Sequence, residues 1–128
     1  MAYFNSKTIN GTFEEAIAKV TDELKKEGFG VLTEIDVKET LKKKLDVDFR
    51  KYKILGACNP PYAYKVLQAE ENIGVLLPCN VVVQEKETGK IQVSAVNPME
   101  SMQAVGNESL GAVASEVSAK LVKVLESL

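Results

Sequence analysis

Apolar residues recur along this chain with two different spacings, and the switches between them predict its elements. Tyr3 to Thr8 carries aromatic and β-compatible residues and predicts a short strand. Thr12-Phe13-Glu14-Glu15 then forms a capping box, and Phe13, Ala16, Ile17, Val20 and Leu24 follow at helical spacing until Gly28 stops the helix. Phe29, Val31, Thr33 and Ile35 alternate as a strand. Asp36 with Glu39 opens a short helix through Val37, Leu41 and Leu45. A second strand covers Tyr52 to Ala57. Asn59 is placed to cap the next helix, with Pro60 at its first position and Ala63, Val66 and Leu67 facing inward.

Further along, Ile73 to Leu77 and Val81 to Glu85 read as one long apolar strand broken at Pro78. Thr88-Gly89 sits in a turn and Ile91, Val93 and Ala95 alternate on the returning strand, so the pair predicts a hairpin. Asn97-Pro98 caps a brief helical segment containing Met99 and Met102. Asn107 opens the longest helix, whose Leu110, Val113, Ala114, Val117, Leu121, Val124, Leu125 and Leu128 form a stripe for one face of the sheet. The resulting order, β-α-β-α-β-α-β-β-α, predicts a single two-layer α+β domain over residues 1–128. Val81-Val82-Val83 adds a constraint. Successive strand residues face opposite sides, so the outer face needs a cover, either a shorter helix or a second copy of the chain. A homodimer is the expectation.

Composition narrows the function classes. A net charge of -2 gives no electrostatic reason to expect nucleic acid or an anionic membrane as partner. Lys42-Lys43-Lys44 lies within a helical pattern and reads as a solvated face. No stretch approaches the roughly 20 apolar residues of a membrane span, and the first residues lack the pattern of a signal peptide. Two cysteines without an export signal predict a cytoplasmic protein with reduced thiols. The chain has no histidine, which removes the commonest general base and metal ligand together. Gly28-Phe29-Gly30 lacks a third glycine and follows a helix, so it is no dinucleotide loop. No catalytic residue, metal or cofactor is assigned.

What chemistry the sequence does offer is concentrated in Cys58-Asn59-Pro60 and Pro78-Cys79-Asn80, which hold its only cysteines at predicted bends. Cys58 would lie just before a helix start, where the dipole can lower a thiol pKa. If the strands carrying them are neighbours, both thiols reach one ligand. Three functional readings follow. The first is a small polar or anionic ligand held by the amides opening the Pro60 helix and the side chains of Asn59 and Asn80, with Tyr62 and Tyr64 lining the pocket. The second is a redox dithiol, although nothing like Cys-x-x-Cys is present. The third is a soft-metal site using both thiolates with Met99 or Met102. Two buried cysteines that merely fix a turn are the structural alternative.

Leu55-Gly56-Ala57-Cys58-Asn59-Pro60, Leu76-Leu77-Pro78-Cys79-Asn80-Val81-Val82-Val83 and the later Asn97-Pro98-Met99 resemble a bacterial and archaeal family, the domain of unknown function family 302. The likeness covers nearly the whole chain. It implies a fold similar to the TATA-binding-protein class, a curved and mainly antiparallel sheet of about five strands against a long C-terminal helix. The link between the cysteine-bearing strands would be an insertion. The resemblance carries no reaction with it, and DNA binding is not implied because a basic, aromatic-rich sheet face is missing. The leading expectation is therefore a domain that binds a small ligand or a protein partner through Cys58, Asn59, Pro60, Tyr62, Pro78, Cys79 and Asn80. A thiol-based redox or soft-metal protein and a structural homodimer module are the alternatives.

Overall fold

Five strands form one antiparallel sheet in the order β1-β5-β4-β3-β2. They are β1 (Phe4–Asn10), β2 (Gly30–Asp36), β3 (Tyr52–Cys58), β4 (Cys79–Glu87) and β5 (Lys90–Val96). The computed structural model describes residues 2–128. Its helices are α1 (Phe13–Lys26), α2 (Val37–Leu45), α3 (Pro60–Ala69), α4 (Pro98–Ser101) and α5 (Gly111–Glu126). This is the α+β sheet-and-helix arrangement that the periodicity predicts.

Strand alternation puts Val81, Val83, Ile91, Val93 and Ala95 on one face, all buried. Phe13, Ala16, Val20 and Leu24 of α1 and Val117, Leu121, Val124 and Leu125 of α5 close over them in one cluster. Burying each of the larger of these side chains contributes about 1.5–3 kcal/mol. A second, smaller cluster joins Val66 of α3, Ile73 and Leu110. Val113 packs against both clusters, so α5 and the turn preceding it span the two.

The helix ends are built as their residues dictate. The Thr12 hydroxyl accepts from the Glu15 amide at 3.1 Å and donates to the Glu15 carboxylate at 2.9 Å, so the predicted pair caps α1 through the Thr12 side chain. At the other end of α1 the Phe29 amide bonds the Leu24 carbonyl and the Gly28 amide bonds that of Lys25. This closure places residue 28 at φ +87°, a left-handed conformation that glycine adopts without strain. Asp36 accepts from the Glu39 amide and starts α2. Asn107 accepts from the Ser109 amide and caps a 3-10 turn, Glu108–Leu110, that runs on into α5.

Two segments depart from the expected pattern. Ile73–Leu76 is a 3-10 turn and not the first half of a strand; β4 begins only at Cys79. The reason is the partner strand. Cys79 pairs with Ala57, and β3 ends one residue later at Cys58, so the residues before Pro78 have no ladder to join. In β2 the register slips between Val31 and Thr33. This bulge at Leu32 breaks the alternation: Val31 pairs with Ala57 and packs on the core, whereas Thr33 and Ile35 pair with Gly56 and Ile54, and Ile35 is left exposed. On the outer face of β4, Val82 is half-buried and borders a shallow depression shared with Asn80, Gln84, Gln92 and Ser94. α2, the helix nearest that side in sequence, buries none of its residues.

The C-terminal stripe is a direct test of the core. Leu121 is 1% exposed at the centre of the main cluster. Leu121→Ala should lower unfolding free energy by about 2–5 kcal/mol, measured by denaturant titration. An unchanged midpoint would contradict the assignment of this face.

Candidate functional site

The site is a cavity of about 310 Å³ between α3, the start of α5, and the sheet end where β3 stops and β4 begins. Its size falls at the lower end of small-molecule pockets. The wall is almost wholly apolar. Val66, Leu77, Met102, Leu110, Val113 and Val117 form much of it, together with the small Ala57, Ala63 and Ala114. Leu32 and Leu67, both well exposed, stand at its rim. No charged side chain lines it among the described residues.

The chain reaches this arrangement through a close approach. A Cβ on residue 56 would run into the Thr33 hydroxyl and would stand 2.8 Å from Pro78 Cγ. Glycine there lets the bulged β2 and the Pro78 ring both pack over β3, which seats the chain entering β4. The Leu77–Pro78 peptide is cis.

Of the residues the sequence singled out, Cys58, Asn59, Tyr62, Pro78 and Cys79 line this cavity together. Pro60 and Asn80 do not. Pro60 is exposed at the first position of α3, and Asn80 is exposed on the outer face of the sheet. Tyr64 is also turned to solvent. Both cysteines lie in strands, Cys58 ending β3 and Cys79 opening β4, so they are not at bends outside regular structure as expected. Of the two methionines offered as alternatives, Met102 lines the cavity with both cysteines, whereas Met99, 41% exposed, does not.

The start of α3 also differs from expectation in a way that changes its chemistry. Asn59 occupies the N-cap position without bonding a helix amide. The second position of the helix is Pro61, which removes the N2 amide, and the Tyr62 amide at the third position is not bonded by the side chain either. Asn59 instead donates its Nδ2 to the Glu27 carbonyl at 3.1 Å, tying α3 to the end of α1. With Pro60 and Pro61 both lacking N–H, this helix start is a poor cradle for an anion.

Both thiols are free. Burial pushes the Cys79 thiol up to about 11, and the neighbouring Cys58 adds to the shift. At neutral pH such a group is a neutral thiol and a poor nucleophile. Tyr62 has its hydroxyl beside the Glu116 carboxylate, whose hydrogen bonding holds the phenol above its ordinary pKa, so it too is neutral here. What sequence reasoning missed was the apolar wall itself. Ala63, Val66, Leu110, Val113, Ala114 and Val117 are spread over two helices and a turn, and read in the sequence as ordinary core positions.

Comparison with known proteins agrees with this architecture. The family model described as domain of unknown function DUF302 matches residues 5–128. A crystal structure of an uncharacterized conserved DUF302 protein from Bacillus stearothermophilus superimposes with a TM-score of 0.91 at 29% identity, over 99% of this chain and 98% of that one. No curated protein matches the chain. No described helix is long and apolar enough to cross a membrane.

The buried thiol makes a measurable prediction. Iodoacetamide labelling of Cys79, followed by peptide mass spectrometry, should be very slow at pH 7, because only on the order of one thiol in 10⁴ is ionised. The rate should climb about tenfold per pH unit from 8 to 10 without levelling off. A plateau by pH 9 would show an ordinary thiol and contradict the burial argument.

Proposed function

This chain belongs to the DUF302 family of unknown function, and we propose that it binds a small, mainly apolar molecule in the cavity between α3, α5 and the Cys58–Cys79 end of the sheet. The observation that carries this reading is the wall: about 310 Å³ of space lined by aliphatic side chains and small alanines where larger residues would fill it. The space opens to solvent between Leu32 and Leu67, and apolar wall left in contact with water is unfavourable, so a bound apolar molecule would stabilise it by covering it. The charge-free lining and the proline-blocked start of α3 favour a neutral ligand over the anionic one expected from the sequence. The reading assumes a reducing compartment such as the cytoplasm, where both cysteines stay as thiols.

Thermal unfolding tests it. 2-Naphthol at about 100 times its dissociation constant should stabilise the protein by about 2.7 kcal/mol, a rise in Tm of roughly 10 °C for a domain of this size. Ala63→Trp, which fills the cavity from α3, should abolish the rise while leaving a cooperative transition. A wild-type protein indifferent to 2-naphthol and to other compact apolar molecules would overturn the proposal.

A second reading, self-association through the outer face of the sheet, is supported by its cross-strand register. Ile35 pairs with Ile54, Ile54 with Val82, and Phe4 with Val96, which gathers apolar side chains on a face whose β2 end is exposed. Light scattering should return a dimer mass for the wild type and a monomer mass for Val82→Lys. A monomer mass for the wild type at high micromolar concentration would remove this reading.

A further inference from the structure

We propose that the ligand of this cavity carries a neutral hydrogen-bond donor, a hydroxyl or an amide N–H, on its apolar body, and that Asn59 Oδ1 is the acceptor that orients it. The proposal rests on the binding reading above and adds to it the chemistry of the ligand's one polar group.

Asn59 is only 7% exposed and lies in the cavity wall. Its carboxamide has two ends with opposite roles. The Glu27 carbonyl can only accept, so it fixes the NH₂ end toward α1, at 3.1 Å. Gly28 stands behind that same end: a Cβ there would lie 3.2 Å from Nδ2 and 3.8 Å from Oδ1. Among the described residues no group donates to Oδ1: Pro61 has no N–H at the second helix position, and the Tyr62 amide at the third does not bond the side chain. No side-chain oxygen or nitrogen sealed from solvent lacks a partner in the described structure. Oδ1 is therefore reachable from outside the protein. The space that Asn59 borders is the cavity.

Asn97 shows what the same residue does when its bonds are all made. It also precedes a proline and is 5% exposed. There a single proline follows, so the Met99 amide is free and donates to Oδ1 at 3.2 Å. The Ser118 hydroxyl donates to the same oxygen, and Nδ2 reaches the Ala2 carbonyl. At Asn59 the second proline removes the corresponding amide, and with the side chain turned to Glu27 its Oδ1 stays open. A ligand that covered Oδ1 without offering a donor would leave the oxygen unpaired, whereas a donor on the ligand would satisfy it. The donor is neutral because no carboxylate lines the wall to offset the lost hydration of an ammonium group.

Matched ligands separate this proposal from the binding reading. Isothermal titration should show 2-naphthol binding about 3–10-fold more tightly than naphthalene or 2-methoxynaphthalene, the effect of one neutral hydrogen bond. In Asn59→Leu the preference should vanish while naphthalene still binds, and in Tyr62→Phe it should persist. If Asn59→Leu does not fold, the side-chain NH₂ resonances of Asn59 in the wild type provide the readout. They should move further with 2-naphthol than with 2-methoxynaphthalene, whose ring shifts them by its ring current alone. Equal affinity for all three compounds, or a preference that survives Asn59→Leu, would overturn this inference and leave the apolar cavity standing. Failure of every compound to bind would overturn both.

Discussion

One helix face has to satisfy two hydrophobic clusters at once, and the rest of the structure follows from how it does so. Toward its C-terminus α5 packs Leu121, Val124 and Leu125 into the main cluster, against the β5 and β1 side of the sheet. The turn that leads into α5 carries Leu110 away from the sheet, to Val66 of α3 and Ile73. The two clusters do not merge into one. Ala57, Ala63 and Ala114 line the space between them, where larger side chains would have closed it. The cavity is the gap between two cores that share one helix.

Holding that gap open requires that the elements around it be fixed independently of filling it. Glu27, at the end of α1, does part of this. Its carbonyl takes the Asn59 amide, and its carboxylate lies 3.5 Å from Lys123 and 4.0 Å from Lys120 of α5. The two ion pairs involve partly exposed lysines and contribute little energy each, but with the Asn59 bond they tie three helices to one residue. On the sheet side, Gly56 admits Thr33 and Pro78 against β3. The wall is therefore braced from behind by polar and backbone contacts, and the cavity surface remains apolar.

The same framework decides what the cysteines can do. Their placement in sequence suggests reactive groups at a helix start. In the fold Cys79 opens a central strand, and burial holds it as a thiol. Pro60 and Pro61 remove the amides that would favour an anion. Both changes remove chemistry that the sequence alone suggested at this end of the sheet, a reactive thiol at Cys79 and an anion cradle at the start of α3.

Local physics determined much of this protein. Capping residues at Thr12 and Asp36, the turn at Thr88-Gly89, and the apolar stripes of α1 and α5 were legible because each depends only on residues a few positions away. The convergence of Cys58 and Cys79 was legible too, as a consequence of adjacent strands. The bulge at Leu32, the 3-10 turn at Ile73–Leu76 and the outward turn of Asn80 were decided only in the tertiary structure. Each depends on which strand lies alongside and where that strand ends, and no periodicity records this. Asn59 lies between the two cases. The proline that removes its N2 amide is written beside it, but its bond to Glu27, 32 residues away in sequence, exists only once α1 and α3 have packed.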